Sequence, residues 1–143
     1  MNEEWGPLAN LIGTWEGSDG LDVAFSHGDG RVIETPYRER AEFKPFGPVQ
    51  NGSQMLMGLD YRTAMWKDNE ENPFHTEVGY WLWDADAQVV LRCFVVPRGI
   101  ALVAGGIATA DATSFTMTAG GADTPYRIAE NTYLAARAST VRY

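Results

Sequence analysis

The stretch Phe74-His75-Thr76-Glu77-Val78-Gly79-Tyr80-Trp81-Leu82-Trp83 decides how the rest of the chain is read. A β-strand alternates its side chains with period two. His75, Glu77, Gly79, Trp81 and Trp83 therefore share one face, and Phe74, Thr76, Val78, Tyr80 and Leu82 share the other. Both faces are mainly apolar, which predicts a strand covered on two sides. A mid-strand glycine such as Gly79 weakens the strand unless something must approach its backbone closely. Two readings follow for His75. It is a hydrogen-bonded histidine in a solid core, or its face lines a cavity.

Outward from this stretch the pattern stays that of short strands and turns. Lys67 to Pro73 is polar and reads as a hairpin loop after a long strand, Gln54 to Trp66. That strand carries Met55, Met57, Leu59, Tyr61, Thr63 and Met65 on one face, with Leu56, Gly58, Asp60, Arg62, Ala64 and Trp66 on the other. Downstream, Asp84 to Ala87 makes a turn, and Pro97-Arg98-Gly99 joins the apolar strands Gln88 to Val96 and Ile100 to Thr109. Upstream, Thr35 to Phe46 sets Tyr37, Glu39, Ala41 and Phe43 against Arg38, Arg40, Glu42 and Lys44, predicting a half-exposed strand before a loop at Gly47 to Gly52.

The first strand is expected over Ile12 to Gly17, with Trp15 as a core anchor, broken by Ser18-Asp19-Gly20 and resumed over Leu21 to Phe25. His27 to Gly30 is turn chemistry, which makes His27 an exposed residue without a functional role. Glu3 to Asn10 suits a short helical turn able to plug a barrel end, because Pro7 favours an early helical position. At the other end, Ser114 to Ala119 reads as the last clear alternating strand, Ala129 to Ala136 carries a weak helical pattern, and Ser139 to Tyr143 looks like a strand beginning. Consecutive hairpins with little helix describe an all-β fold, an antiparallel up-and-down β-barrel of lipocalin type, as one domain over residues 1–143. A barrel of about eight or more strands can hold a small ligand.

Composition narrows the function classes. The formal net charge of −8 argues against general nucleic-acid binding and against an anionic membrane surface. No signal peptide and no apolar run of spanning length are visible, so a cytoplasmic location is the default expectation. Cys93, in an apolar run, reads as a buried thiol. Phosphate-loop, paired-cysteine zinc and Gly-x-Ser-x-Gly patterns are missing, and the two histidines lie far apart, so no metal site is expected. Glu77 could orient the imidazole of His75, and as a buried carboxylate it needs a cation, for which Arg62 and Arg92 are the candidates.

Three segments together resemble the nitrobindin-like family of β-barrels, also described as fatty-acid-binding-protein-like. They are Leu11-Ile-Gly-Thr-Trp-Glu-Gly17, then Met65-Trp66 with Pro73-Phe74-His75-Thr76-Glu77-Val78-Gly79-Tyr80, and the strands around Pro97-Arg98-Gly99 ending at Gly105-Gly106. The resemblance implies a ten-stranded barrel with a hydrophobic pocket, occupied in several members by ferric haem. It also implies that His75 is a pocket histidine that does not bind iron, and that Phe74 and Met65 are pocket-lining positions. The iron ligand of haem-binding members is a histidine near the C-terminus, and this sequence has none after His75. The chain stops at Tyr143, about where two closing strands would follow, so the barrel is expected to lack them.

The expected function is a barrel binding a small hydrophobic or planar ligand, with haem as a candidate cofactor despite the absent histidine. The expected ligand-binding residues are His75, Phe74, Met65, Tyr61, Met57, Trp81, Glu77 and Arg62, with Phe94 on a neighbouring strand. No catalytic residue is assigned. The alternatives are a ferric-haem peroxynitrite isomerase or nitric-oxide-binding protein, and a ligand-free structural barrel acting as a homodimer through unpaired strand edges.

Overall fold

The computed structural model describes residues 2–26 and 28–136, so His27 and the strand expected at Ser139 to Tyr143 lie outside the described residues. Seven strands form one antiparallel sheet in chain order: β1 (Gly13–Ser26), β2 (Arg31–Asn51), β3 (Gln54–Lys67), β4 (His75–Asp84), β5 (Val89–Val96), β6 (Ile100–Ile107) and β7 (Ile128–Glu130). Each strand pairs with the one before it, which is the up-and-down order of an antiparallel β-barrel domain. Among the described residues no ladder joins β7 to β1.

The breaks seen in the sequence become local irregularities of pairing. In β1 the register shifts between Gly17 and Gly20, so Ser18 and Asp19 bulge while the strand continues to Ser26. The segment expected as a loop after Phe46 instead stays in β2, with a second register shift between Phe46 and Val49 before pairing resumes to Asn51.

The core lies on one face of the sheet. Register sets Phe43, Tyr61 and Gly79 in one cross-strand row, and Leu59, Trp81 and Arg92 in the next. Leu59, Tyr61, Trp83, Val90 and Phe43 are buried there together with Leu8, which arrives from the N-terminal 3-10 helix Glu3–Leu11. The helical turn expected at Glu3 to Asn10 is present and packs on β3 and β4. Trp5 Nε1 donates to the Gly58 carbonyl at 2.8 Å. Gly6 takes a left-handed φ of 51°, and a Cβ there would stand 2.5 Å from Trp83 Nε1, so glycine lets the helix seat against the indole.

Three expectations are corrected. The face of β4 opposite His75 is not covered: Val78 is 37% and Tyr80 51% exposed, so the strand is apolar on both faces but buried on one. Trp15 is no core anchor, being 52% exposed, with its Nε1 bonded to the Leu11 carbonyl at 2.7 Å. No described strand covers that edge of β1. Ser114 to Ala119 alternates as expected, Phe115, Met117 and Ala119 packing half-buried on the core, but among the described residues its backbone pairs with the sheet only through a bridge between Thr118 and Gly105. It passes over Gly106, where a Cβ would fall 1.8 Å from the Thr116 carbonyl oxygen. The helical pattern near the end resolves into β7 and a single turn, α1 (Thr132–Ala135), capped by the Asn131 side chain. No described helix is long and apolar enough to cross a membrane.

Candidate functional site

The inner face of β3, β4 and β5 carries one polar cluster within apolar surroundings. Cross-strand pairing puts Met65 beside His75 and Thr63 beside Glu77, and β5 brings Arg92 next to Trp81. Glu77 is the centre. Its side chain is 5% exposed, and both carboxylate oxygens are used. Oε2 accepts from the Tyr61 hydroxyl at 2.6 Å and from Arg92 Nη2 at 2.5 Å, while Oε1 lies 3.2 Å from His75 Nε2. Arg92 Nη2 also donates to the Tyr61 oxygen at 3.2 Å. The guanidinium is sandwiched among rings, 4.4 Å from the Phe94 centroid and 5.0 Å from that of Trp81.

The electrostatics follow from this wiring. Burial pushes the Glu77 carboxyl upward, but hydrogen bonds from His75 and Tyr61 and the Arg92 charge outweigh it, leaving its pKa below the ordinary value. Tyr61 moves the other way: burial, then the hydrogen bond to Glu77, raises its phenol well above the usual range. Tyr61 therefore stays a donor. Burial also raises the Cys93 thiol. Removing the hydroxyl in Tyr61→Phe leaves Glu77 with one donor fewer, and an expected loss of about 1–2 kcal/mol is readable by urea unfolding.

The expected site residues separate into those the sheet assembles and those it does not. His75, Glu77, Tyr61 and Trp81 converge, and Met65 neighbours His75 across the strand pair. Met57 pairs with Trp83 at the far end of β4. Phe74 stands at the loop end, with its ring 5.9 Å from that of Tyr37 in an edge contact. Arg62 is corrected: it pairs with Val78, is exposed, and points to the opposite face, so the cation on Glu77 is Arg92. Parity separates the two arginines, but only once the strand registers are known.

Other features escape the sequence pattern. Thr63, fully buried, donates to Glu39 Oε1 at 2.5 Å. Its signal was a lone acid, Glu39, among the apolar positions of its strand. Trp81 Nε1 and Arg92 Nε are buried and have no hydrogen-bond partner among the described residues, although they belong to cross-strand neighbours. A cavity of about 220 Å³ lined by Pro73, Phe74, His75, Thr76, Val96, Pro97 and Arg98 reaches His75 from outside. A second, of about 390 Å³, opens beside Trp15, Tyr37 and Glu39. Among the described residues no group of three or more His, Cys, Asp or Glu side chains is arranged to hold a metal ion.

Comparison with curated proteins and with solved structures returned no match. A family model does match, over residues 4–141, and its description is a THAP4-like, heme-binding β-barrel domain. With the strand order and nearly the whole length in agreement, the chain belongs to that haem-binding β-barrel family.

Proposed function

We propose that the inner face binds a small, planar, hydrophobic ligand of the tetrapyrrole class, held by its faces against Trp81 and Phe94 and oriented by the Glu77 cluster. The observation that carries this reading is the pair of buried donors, Trp81 Nε1 and Arg92 Nε, with no acceptor among the described residues. A buried donor left unpaired is costly, and an acceptor on a bound ligand would satisfy it. The membership in a haem-binding family supports the same class of ligand.

The residues fit the flat apolar body of such a ligand and do not fit its iron. His75 Nε2 is engaged with Glu77. Tyr61 keeps its proton and so does not offer a phenolate. Met57 and Met65 are soft donors of this face, set by pairing beside Trp83 and His75 respectively. Recognition is accordingly assigned to stacking and hydrogen bonding rather than to an axial bond.

Titration with iron-free protoporphyrin IX and with hemin tests this. Both should bind with affinities within about threefold of each other, and Trp81→Leu should weaken both by about tenfold or more. His75→Ala should affect the two equally. Failure of both macrocycles to bind, or hemin binding that alone is lost in His75→Ala, overturns the reading. The isomerase and nitric-oxide-binding alternatives depend on the same titration, because both need iron in the site. Native mass spectrometry of freshly purified protein reads co-purified ligand mass and subunit number together.

A further inference from the structure

We propose that the end of the inner face between β1 and β2 is a cage for an alkylammonium group. The cavity of about 390 Å³ there includes Trp15, Gly17, Gly20, Tyr37, Glu39 and Ala41 in its walls. Pairing sets Trp15 opposite Ala41, Gly17 opposite Glu39 and Gly20 opposite Tyr37, so these six positions share one face.

Each wall is fixed in place before any ligand arrives. The Trp15 indole is tethered through Nε1 to the Leu11 carbonyl at 2.7 Å and leaves about half of its surface open. The Tyr37 ring lies over Gly20, where a Cβ would come within 2.5 Å of it, and meets the Phe74 ring in an edge contact at 5.9 Å. At Gly17 nothing stands within 4 Å of where a Cβ would be, which keeps the space between the rings clear. Glu39 supplies the charge. Thr63 holds its Oε1 at 2.5 Å, and among the described residues no lysine, arginine or histidine forms an ion pair with it.

The neighbouring acids differ in this respect. Glu16 and Glu42, on the outer face of the same strands, both pair with Arg40. Glu39 alone of the three is turned inward, held by Thr63, and without an ion-pair partner among the described residues. Two aromatic rings beside a fixed carboxylate suit a weakly hydrated cation, which the ring faces attract and the carboxylate neutralises. An alkylated ammonium meets both demands, whereas a ligand carboxylate would meet repulsion from Glu39 and Asp19. This goes beyond the macrocycle reading in the ligand charge it requires, while adjoining the same face: Glu39 pairs with Met65, and its partner Thr63 pairs with Glu77.

Choline and its uncharged isostere 3,3-dimethyl-1-butanol are the probes, read by calorimetry or ligand-observed NMR on the full chain. Choline should bind about tenfold or more tightly than the alcohol, and Glu39→Gln and Trp15→Leu should each weaken it by a similar factor. Glu39→Gln retains an acceptor for Thr63, so its melting temperature should stay near that of the parent. Equal binding of the two probes, no choline binding, or parental choline affinity in a folded Glu39→Gln overturns the proposal. Protoporphyrin binding is read separately on the same protein, by the titration given above. Choline bound without the macrocycle therefore counts against the earlier reading alone, and macrocycle bound without choline counts against this one alone.

Discussion

Gly79→Ala is expected to destabilise the protein by more than about 3 kcal/mol, at the upper end of what overpacking costs. The added Cβ would stand 2.0 Å from the Cys93 carbonyl oxygen and 2.6 Å from the Phe94 Cα. Both are backbone atoms of β5, so no side-chain rotation relieves the contact. The two strands would have to separate at the row where Gly79 pairs with Phe94, one row from the Trp81 and Arg92 pair. Damage there reaches the Glu77 cluster as well as the ladder. Gly17→Ala is the control, because nothing lies within 4 Å of its Cβ position, and it should stay within about 1 kcal/mol of the parent. Urea unfolding of the two variants reads the contrast directly. A Gly79→Ala protein as stable as the parent would mean that β4 and β5 do not approach so closely.

The same glycine shows where sequence reading reaches its limit. Its position in mid-strand signals a close approach, and alternation alone gives it the face of His75 and Glu77. What approaches is a neighbouring backbone rather than a ligand, and that depends on a partner strand fifteen residues on in pairing, from Gly79 to Phe94. The strand order was legible for a related reason. Hairpins such as Lys67 to Pro73 and Pro97 to Gly99 are local, and local turns impose neighbouring pairs in an up-and-down sheet. The choice between Arg62 and Arg92 was not local. It requires knowing that Arg62 meets Val78 while Arg92 meets Trp81.

Exposure was the least legible property. Trp15 and Tyr80 carry the residue type of a core, yet each is about half exposed, Trp15 tethered only at its Nε1 and Tyr80 met by the Phe46 ring in an edge contact at 5.4 Å. Hydrophobic residues outside a core are common on protein surfaces, so residue type alone does not report burial. Glu39 is the reverse case, an acid drawn inward by parity and held by a buried threonine hydroxyl. Alternation placed Glu39 correctly with Tyr37, Ala41 and Phe43, whereas the exposure of Trp15 and Tyr80 depends on coverage that residue type does not report.

Arg92→Leu is expected to cost about 3–5 kcal/mol at pH 7, the range for a buried ion pair that loses one partner. The pH dependence identifies the cause. In the parent, the Glu77 pKa is lowered on folding, so its contribution to stability is complete above the unfolded carboxyl pKa of about 4.3 and is lost as pH falls through the folded value. Without Arg92 the guanidinium charge no longer joins the hydrogen bonds from His75 and Tyr61 in opposing burial, the largest influence on this carboxyl. The folded pKa then rises, so the stability gap between variant and parent should narrow as pH falls through the carboxyl range. His75 lies 3.2 Å from Glu77, so the carboxylate must be isolated as the source. In a Glu77→Gln background a carboxamide cannot take up the proton, and the gap produced by Arg92→Leu should no longer change with pH. Urea midpoints at pH 7, 5 and 4 for the parent, the two single variants and the double variant contain the full comparison. A gap between parent and Arg92→Leu that stays constant over that range means that the Arg92 charge does not help keep Glu77 ionised.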